Sequence, residues 1–234
     1  MVFTKLARHF VKGRFIVRVG VLIIAIHLLS ACQMLPSEKT KKTKQPEAEQ
    51  AQAEGEAEPP LELLPNPYLE NKVSVPGRAQ QEFARAQAAM QNKNWDAAES
   101  LLTLMVETYP KLSGPYVNLG IVQRNKNKPE EAEKAFRFAL ETNPYNMDAY
   151  SQLGLLLREQ GKFSEAEQVY LKALQVWPHH FDSQKNLGVL YDLYMGRLPE
   201  ALEHYKMARR ILREPDRQLE GWIVDLERRI ESEK

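Results

Sequence analysis

A single cysteine, Cys32, is all that the 234-residue sequence carries, which excludes an intramolecular disulfide and any CxxC redox or zinc site. The first 31 residues hold no Asp or Glu, although they hold Lys5, Arg8, Lys12, Arg14 and Arg18. Beyond them, 27 basic side chains face 31 acidic ones, so the remainder is mildly acidic despite an overall formal charge of +1. It lacks the positive field on which nucleic-acid binding draws, and that class of function is set aside. No apolar run reaches the roughly 20 residues that a spanning helix needs. The longest, Val19 to Leu29, has 11 residues and is interrupted by Gly20 and His27. There is also no glycine-rich phosphate loop, no nucleophile–base pair and no metal-ligand constellation. His179 and His180 follow Pro178 and are expected as surface turn residues, and His204 as an ordinary exposed helix position. The sequence therefore predicts no enzyme, no metal and no cofactor.

What the N-terminus does have is an address. A basic stretch, a short apolar core and the small residues Ser30 and Ala31 precede Cys32, the three-part build of a cleaved signal peptide. Leu29-Ser30-Ala31-Cys32 resembles the bacterial lipobox. The resemblance implies that residues 1–31 are removed and that Cys32 is acylated, and several acyl chains give durable anchoring where one alone is marginal. Gln33 follows, not the aspartate that the lipoprotein family uses for inner-membrane retention, which implies the periplasmic face of the outer membrane. Residues 32–60 are rich in Lys, Glu, Gln, Ala and Pro and have no aromatic side chain. Such a stretch cannot bury enough surface to offset its ordering entropy, so a disordered tether is expected. Residues 61–78, with Leu63, Leu64, Tyr68 and Leu69, are broken by proline but apolar again, and are expected to lie extended against a folded domain spanning 79–234.

That domain is periodic. Pro110, Pro144 and Pro178 are 34 residues apart, and so are Ala98, Ala132 and Ala166. Leu119, Leu153 and Leu187 keep the same step, each followed by a glycine (Gly120, Gly154, Gly188), as do Tyr116 with Tyr150, Phe136 with Tyr170, and Ala139 with Ala173. Agreement at so many independent positions means one supersecondary unit repeated, none of which can cover its own apolar face.

The pattern resembles the tetratricopeptide-repeat (TPR) family. The resemblance implies an all-α fold, a right-handed α-solenoid of about four helix-turn-helix repeats (79–112, 113–146, 147–180 and 181–214) plus a C-terminal capping helix over 215–232. Repeat one departs from the family, with Arg85 and Ala86 where Leu-Gly is usual. Repeat four carries one extra residue near Tyr194-Met195-Gly196, which displaces Ala201, Tyr205 and Ala208 by one. After Pro215, residues Leu219, Trp222, Ile223, Leu226 and Ile230 form one apolar stripe at helical spacing. A cap is the favoured reading of that helix and a dimerisation surface the alternative.

By resemblance the working surface is the concave groove lined by the first helix of each repeat. Its positions fall on Phe83, Gln87 and Met90 in repeat one and on Val117, Asn118, Ile121, Arg124 and Asn125 in repeat two. They continue with Ser151, Gln152, Leu155, Arg158 and Glu159 in repeat three and Lys185, Asn186, Val189 and Asp192 in repeat four. Ile121, Leu155 and Val189 share one repeat position, so they are expected to form an apolar line flanked by Arg124 and Arg158. The expected partner is a partly hydrophobic protein or peptide, unless neighbouring helices or the chain's own 61–76 segment already cover that line. A carboxylate clamp for chaperone tails is disfavoured, because Phe83, Gln87, Asp148 and Gln152 stand where basic residues are needed. Lipid-anchored TPR proteins of this kind include pilotins of type IV pilus secretins, adaptors of cell-wall hydrolases and accessory components of TonB-type systems. The resemblance thus implies a membrane-anchored adaptor or scaffold of an envelope complex, with a homo-oligomeric spacer as the alternative of another class.

Overall fold

The computed structural model describes residues 61–233, and all regular structure among them is helical. The expected signal sequence and tether, with Cys32, lie outside the described residues. No helix among the described residues is long and apolar enough to cross a membrane. After a single turn, α1 (Pro67–Glu70), eight helices form four hairpins. These are α2 (Gly77–Gln91) with α3 (Trp95–Thr108), and α4 (Ser113–Asn125) with α5 (Pro129–Thr142). They continue with α6 (Met147–Glu159) and α7 (Phe163–Val176), then α8 (Phe181–Leu190) and α9 (Leu198–Ile211). A last helix, α10 (Arg217–Ser232), follows.

The repeated prolines set where the second helices stop. Tyr109, Asn143 and Trp177 each stand one residue before a proline and cap α3, α5 and α7 outside the helical region. The proline ring drives the residue before it out of the α conformation, which breaks the helix there. Side-chain caps mark several starts, with Asn94, Asn146 and Asp216 accepting from the first-turn amides of α3, α6 and α10.

Each of the last three hairpins is held by a glycine on the first helix and a ring on the second. A β-carbon at Gly120 or Gly188 would stand 2.5 Å from the ring of Phe136 or Tyr205, and one at Gly154 would meet Tyr170 in the same way. All three rings are buried. In repeat one both partners differ together, since Ala86 takes the glycine position and Leu102 the ring position, and both are buried in one cluster. A smaller side chain on α3 leaves room for the methyl on α2.

The extra residue of repeat four is absorbed inside a helix. The end of α8 widens into a π turn over Tyr191–Met195, terminated by Gly196 at φ 65°. A π turn accommodates one residue more than an α turn without ending the helix, so α9 keeps its register against α8.

Successive first helices touch, α4 with α6 and α6 with α8, while successive second helices make no comparable contact. The stack closes up on the first-helix side and splays on the other, which makes the first helices the inner wall. Between repeats runs a ladder of ion pairs. Glu99 meets Lys128 at 3.0 Å, Glu133 meets Lys162 at 3.2 Å, and Glu167 meets Arg197 at 2.7 Å. In each pair a second helix reaches the turn of the following repeat.

α10 packs on α9 and buries Leu219, Ile223 and Leu226 in the main core, with Trp222 and Ile230 against it. The apolar stripe is spent within the chain, so α10 is a cap and occupies the place of a fifth repeat's first helix. At the other end, residues 61–76 do not follow the inner wall. The Leu64 amide donates to His179 Nδ1 at 2.7 Å, and Trp177 Nε1–H donates to the Leu64 carbonyl at 3.1 Å. The segment then runs back across the loops that join the repeats, and none of its side chains is buried.

Two histidines differ from the sequence reading. His180 is 6% exposed, stacked on Trp177 with its Nδ1 2.8 Å from Ser183 Oγ. It occupies the position of buried Asn146 in the preceding repeat, which turns it under the loop and away from solvent. His204 is half-buried, with Nδ1 2.7 Å from Gln184 Oε1. Allowing for the inserted residue, it aligns with Val169 and buried Ala135 on the inward face. His179 is half-buried as well, and its Nδ1 accepts from the Leu64 amide.

Candidate partner-binding groove

The inner wall is built from one face of α4, α6 and α8. Ile121 on α4 and Val189 on α8 are partly buried against the core, and Leu155 on α6 is half-buried. These three repeat-equivalent side chains present a discontinuous apolar strip to solvent. Residues 61–76 are anchored elsewhere, on the Trp177–His179 loop.

Polar groups flank the strip. Arg124 reaches from α4 to α6, donating from Nη1 to Gln152 Oε1 at 3.1 Å, with Nε 3.8 Å from Glu159. Asn125 turns back onto its own helix, bonding the Ile121 carbonyl at 2.8 Å. Arg158, a turn beyond Leu155, lies over the Tyr194 ring at 5.8 Å and has a buried Nη1 without a hydrogen-bond partner. Ser151 Oγ, on the same face of α6, is likewise buried and unpaired. Lys185 stands over the Phe181 ring at 4.9 Å. Asn118 and Asn186 are half-buried at equivalent positions.

Four of the residues expected in the groove are placed otherwise. Val117 is buried in the main core, since it faces the next hairpin rather than solvent. Asp192 is held by Arg229 of the cap at 2.7 Å, and its side chain is only 9% exposed, so the cap closes that end of the wall. Met90 packs into the repeat-one core, and Phe83 packs beside it while lining a cavity under residues 68–75. Gln87 is exposed.

Two residues that sequence reasoning did not single out adjoin this surface. The π turn presents Leu193 at 66% and Tyr194 at 47% exposure, and Tyr194 packs on Phe163 with ring centroids 4.9 Å apart. The signal for them was the extra residue itself. Next to them Tyr191 donates to Glu167 at 2.7 Å, and burial, with that carboxylate beside it, pushes the phenol up to about 12. Arg124 is paired with Glu159, while Arg158 and Lys185 bring positive charge to the wall over the Tyr194 and Phe181 rings. The arrangement can hold an apolar side chain between cations.

Comparison with known proteins bears on this directly. One tetratricopeptide-repeat family model matches residues 114–146 and another matches residues 145–214. Residues 114–214 are tetratricopeptide repeats. Solved structures agree on the fold. The chain is similar to the structure from the functional characterization of Pseudomonas aeruginosa pilF, at 23% identity and a TM-score of 0.59, over 66% of this chain and 69% of that one. It is similar to TTC0263, a thermophilic TPR protein in Thermus thermophilus, at 23% identity and TM-score 0.54, covering 63% and 80% of the two chains. It is also similar to YrrB, described as a TPR protein with an unusual peptide-binding site, at 23% identity and TM-score 0.50, covering 60% and 71%. No curated protein matches the sequence. The wall just described is therefore the inner face of a TPR solenoid, a protein-interaction module.

Proposed function

We propose that the protein is a lipid-anchored adaptor that holds a component of an envelope assembly in its TPR groove. The observation that carries the groove reading is the strip of Ile121, Leu155 and Val189, partly exposed, with Arg124 and Arg158 beside it. An apolar strip of this kind, edged by cations, fits an extended segment or helix bearing apolar residues and a carboxylate. The lipobox-like Leu29-Ser30-Ala31-Cys32 supports anchoring, and a tether ahead of residue 61 would let the groove search the space around its attachment point.

Leu155→Glu tests the groove. Its side chain is half-buried, so the variant keeps its melting transition and helical circular dichroism while partner recovery from solubilised membranes falls at least tenfold. A variant that unfolds, or that still captures the same envelope component, removes the groove from the account. Cys32→Ser tests the anchor. The expected product is an unprocessed precursor without acyl label, and labelling equal to the parent chain refutes lipidation at Cys32.

A further inference from the structure

A cavity of about 500 Å³ lies between residues 68–75 and the start of the repeat array, outside the Ile121–Leu155–Val189 strip. Its walls are mainly apolar, with Tyr68, Val73 and Val75 on one side and Phe83, Leu112 and Pro115 on the other. Its volume falls in the range of roughly 300–1,000 Å³ that small-molecule sites occupy. No carboxylate lines it, and its only charged lining residues are Lys72 and Lys111. Both lysines are exposed, and neither has an ion-pair partner among the described residues.

Each lining Asn, Gln and Ser side chain already uses one of its polar atoms within the chain. Asn71 Nδ2 donates to the Pro67 carbonyl and Gln80 Nε2 to the Val75 carbonyl. Ser113 Oγ accepts from Asn146, and Asn143 Oδ1 accepts from the Tyr145 amide. A peptide buried here would need partners for its backbone donors and acceptors, and each one left unpaired costs about 1–3 kcal/mol. A hydrocarbon chain needs no such partners, and an anionic head would meet the two lysines. The outer wall has no buried side chain, so it can lift at small cost to admit a ligand.

We propose that this cavity binds a single-chain anionic amphiphile of the fatty-acid class, with its tail between residues 68–75 and the first hairpins and its carboxylate at Lys72 and Lys111. The test is photo-crosslinking of the full chain with a tetradecanoate carrying a diazirine near its methyl end, and mapping of the adducts by mass spectrometry. Adducts should concentrate on residues 68–75 and 105–115. The Lys72→Glu/Lys111→Glu pair should lower their yield at least tenfold, and an amine-headed probe of equal length should label this site no better than that variant. Leu112→Trp fills the cavity and should lower the yield too. Should that variant fail to fold, the two exposed lysines carry the test alone. Equal labelling by both probes, adducts centred on α4, α6 and α8, or adducts unaffected by the charge reversal each overturn the proposal. So does an absence of adducts.

Discussion

Leu102 stands where the next three repeats carry Phe136, Tyr170 and Tyr205, and Ala86 stands where they carry Gly120, Gly154 and Gly188. The two departures of repeat one are thus one compensated change, and a double-mutant cycle can show it. Leu102→Tyr alone should destabilise the chain in urea unfolding by about 1–3 kcal/mol, the cost of overpacking. Adding Ala86→Gly should recover at least half of that loss, whereas additive effects would mean the pair does not touch. In the sequence the glycines and aromatics were visible as a period, but not as partners, because which ring faces which glycine depends on the crossing of two helices. The histidines show the opposite failure, since reading His180 and His204 one at a time concealed the buried or half-buried places that Asn146, Ala135 and Val169 mark at equivalent positions. Burial holds both imidazoles below the ordinary histidine range, so the fold favours their neutral form. The unfolded chain then takes up protons first as pH falls below about 6.5, and stability, complete above that pH, declines beneath it. His180→Asn, which copies Asn146, combined with His204→Gln should flatten the melting temperature between pH 7 and pH 5 relative to the parent chain. An unchanged slope would show that these side chains do not govern acid stability.

Among the elements, α10 differs most from a simple continuation of the array. Its stripe was legible from the spacing of Leu219, Ile223 and Leu226, and the choice between capping and pairing needed the contacts with α9. Terminal units of a stacked array lack a neighbour and depend on such a cover. Leu226→Ala should therefore cost about 2–5 kcal/mol. Val224→Lys, at a side chain that is 62% exposed, should leave both stability and sedimentation unchanged. A large effect of Val224→Lys would mean that the outer face is covered in solution. The π turn illustrates what a one-residue insertion means physically: the period showed that α8 and α9 were out of step, and only the backbone showed the surplus taken up within a helix. The ion ladder follows the same 34-residue step at Glu99, Glu133 and Glu167. Such a ladder is hard to read from sequence, because charge on a helix surface is so often merely solvated and individual exposed pairs contribute little.

At the scale of the whole molecule, repeat number and helical hairpins were legible because a repeated core leaves a repeated sequence. The inner wall was legible less completely. Ile121, Leu155 and Val189 emerged from one shared position, but Val117 and Asp192 were lost to contacts between elements that no local pattern records. The course of residues 61–76 was the least legible, since it rests on Leu64 meeting Trp177 and His179 across 113 and 115 residues. That attachment has a mechanical meaning. Repeat one begins the solenoid, yet the chain entering it is fastened near the boundary of repeats three and four. Tension applied upstream of residue 61 is therefore delivered first to that boundary, in the interior of the stack, and the leading hairpin is shielded from being peeled away until the fastening at Leu64 gives.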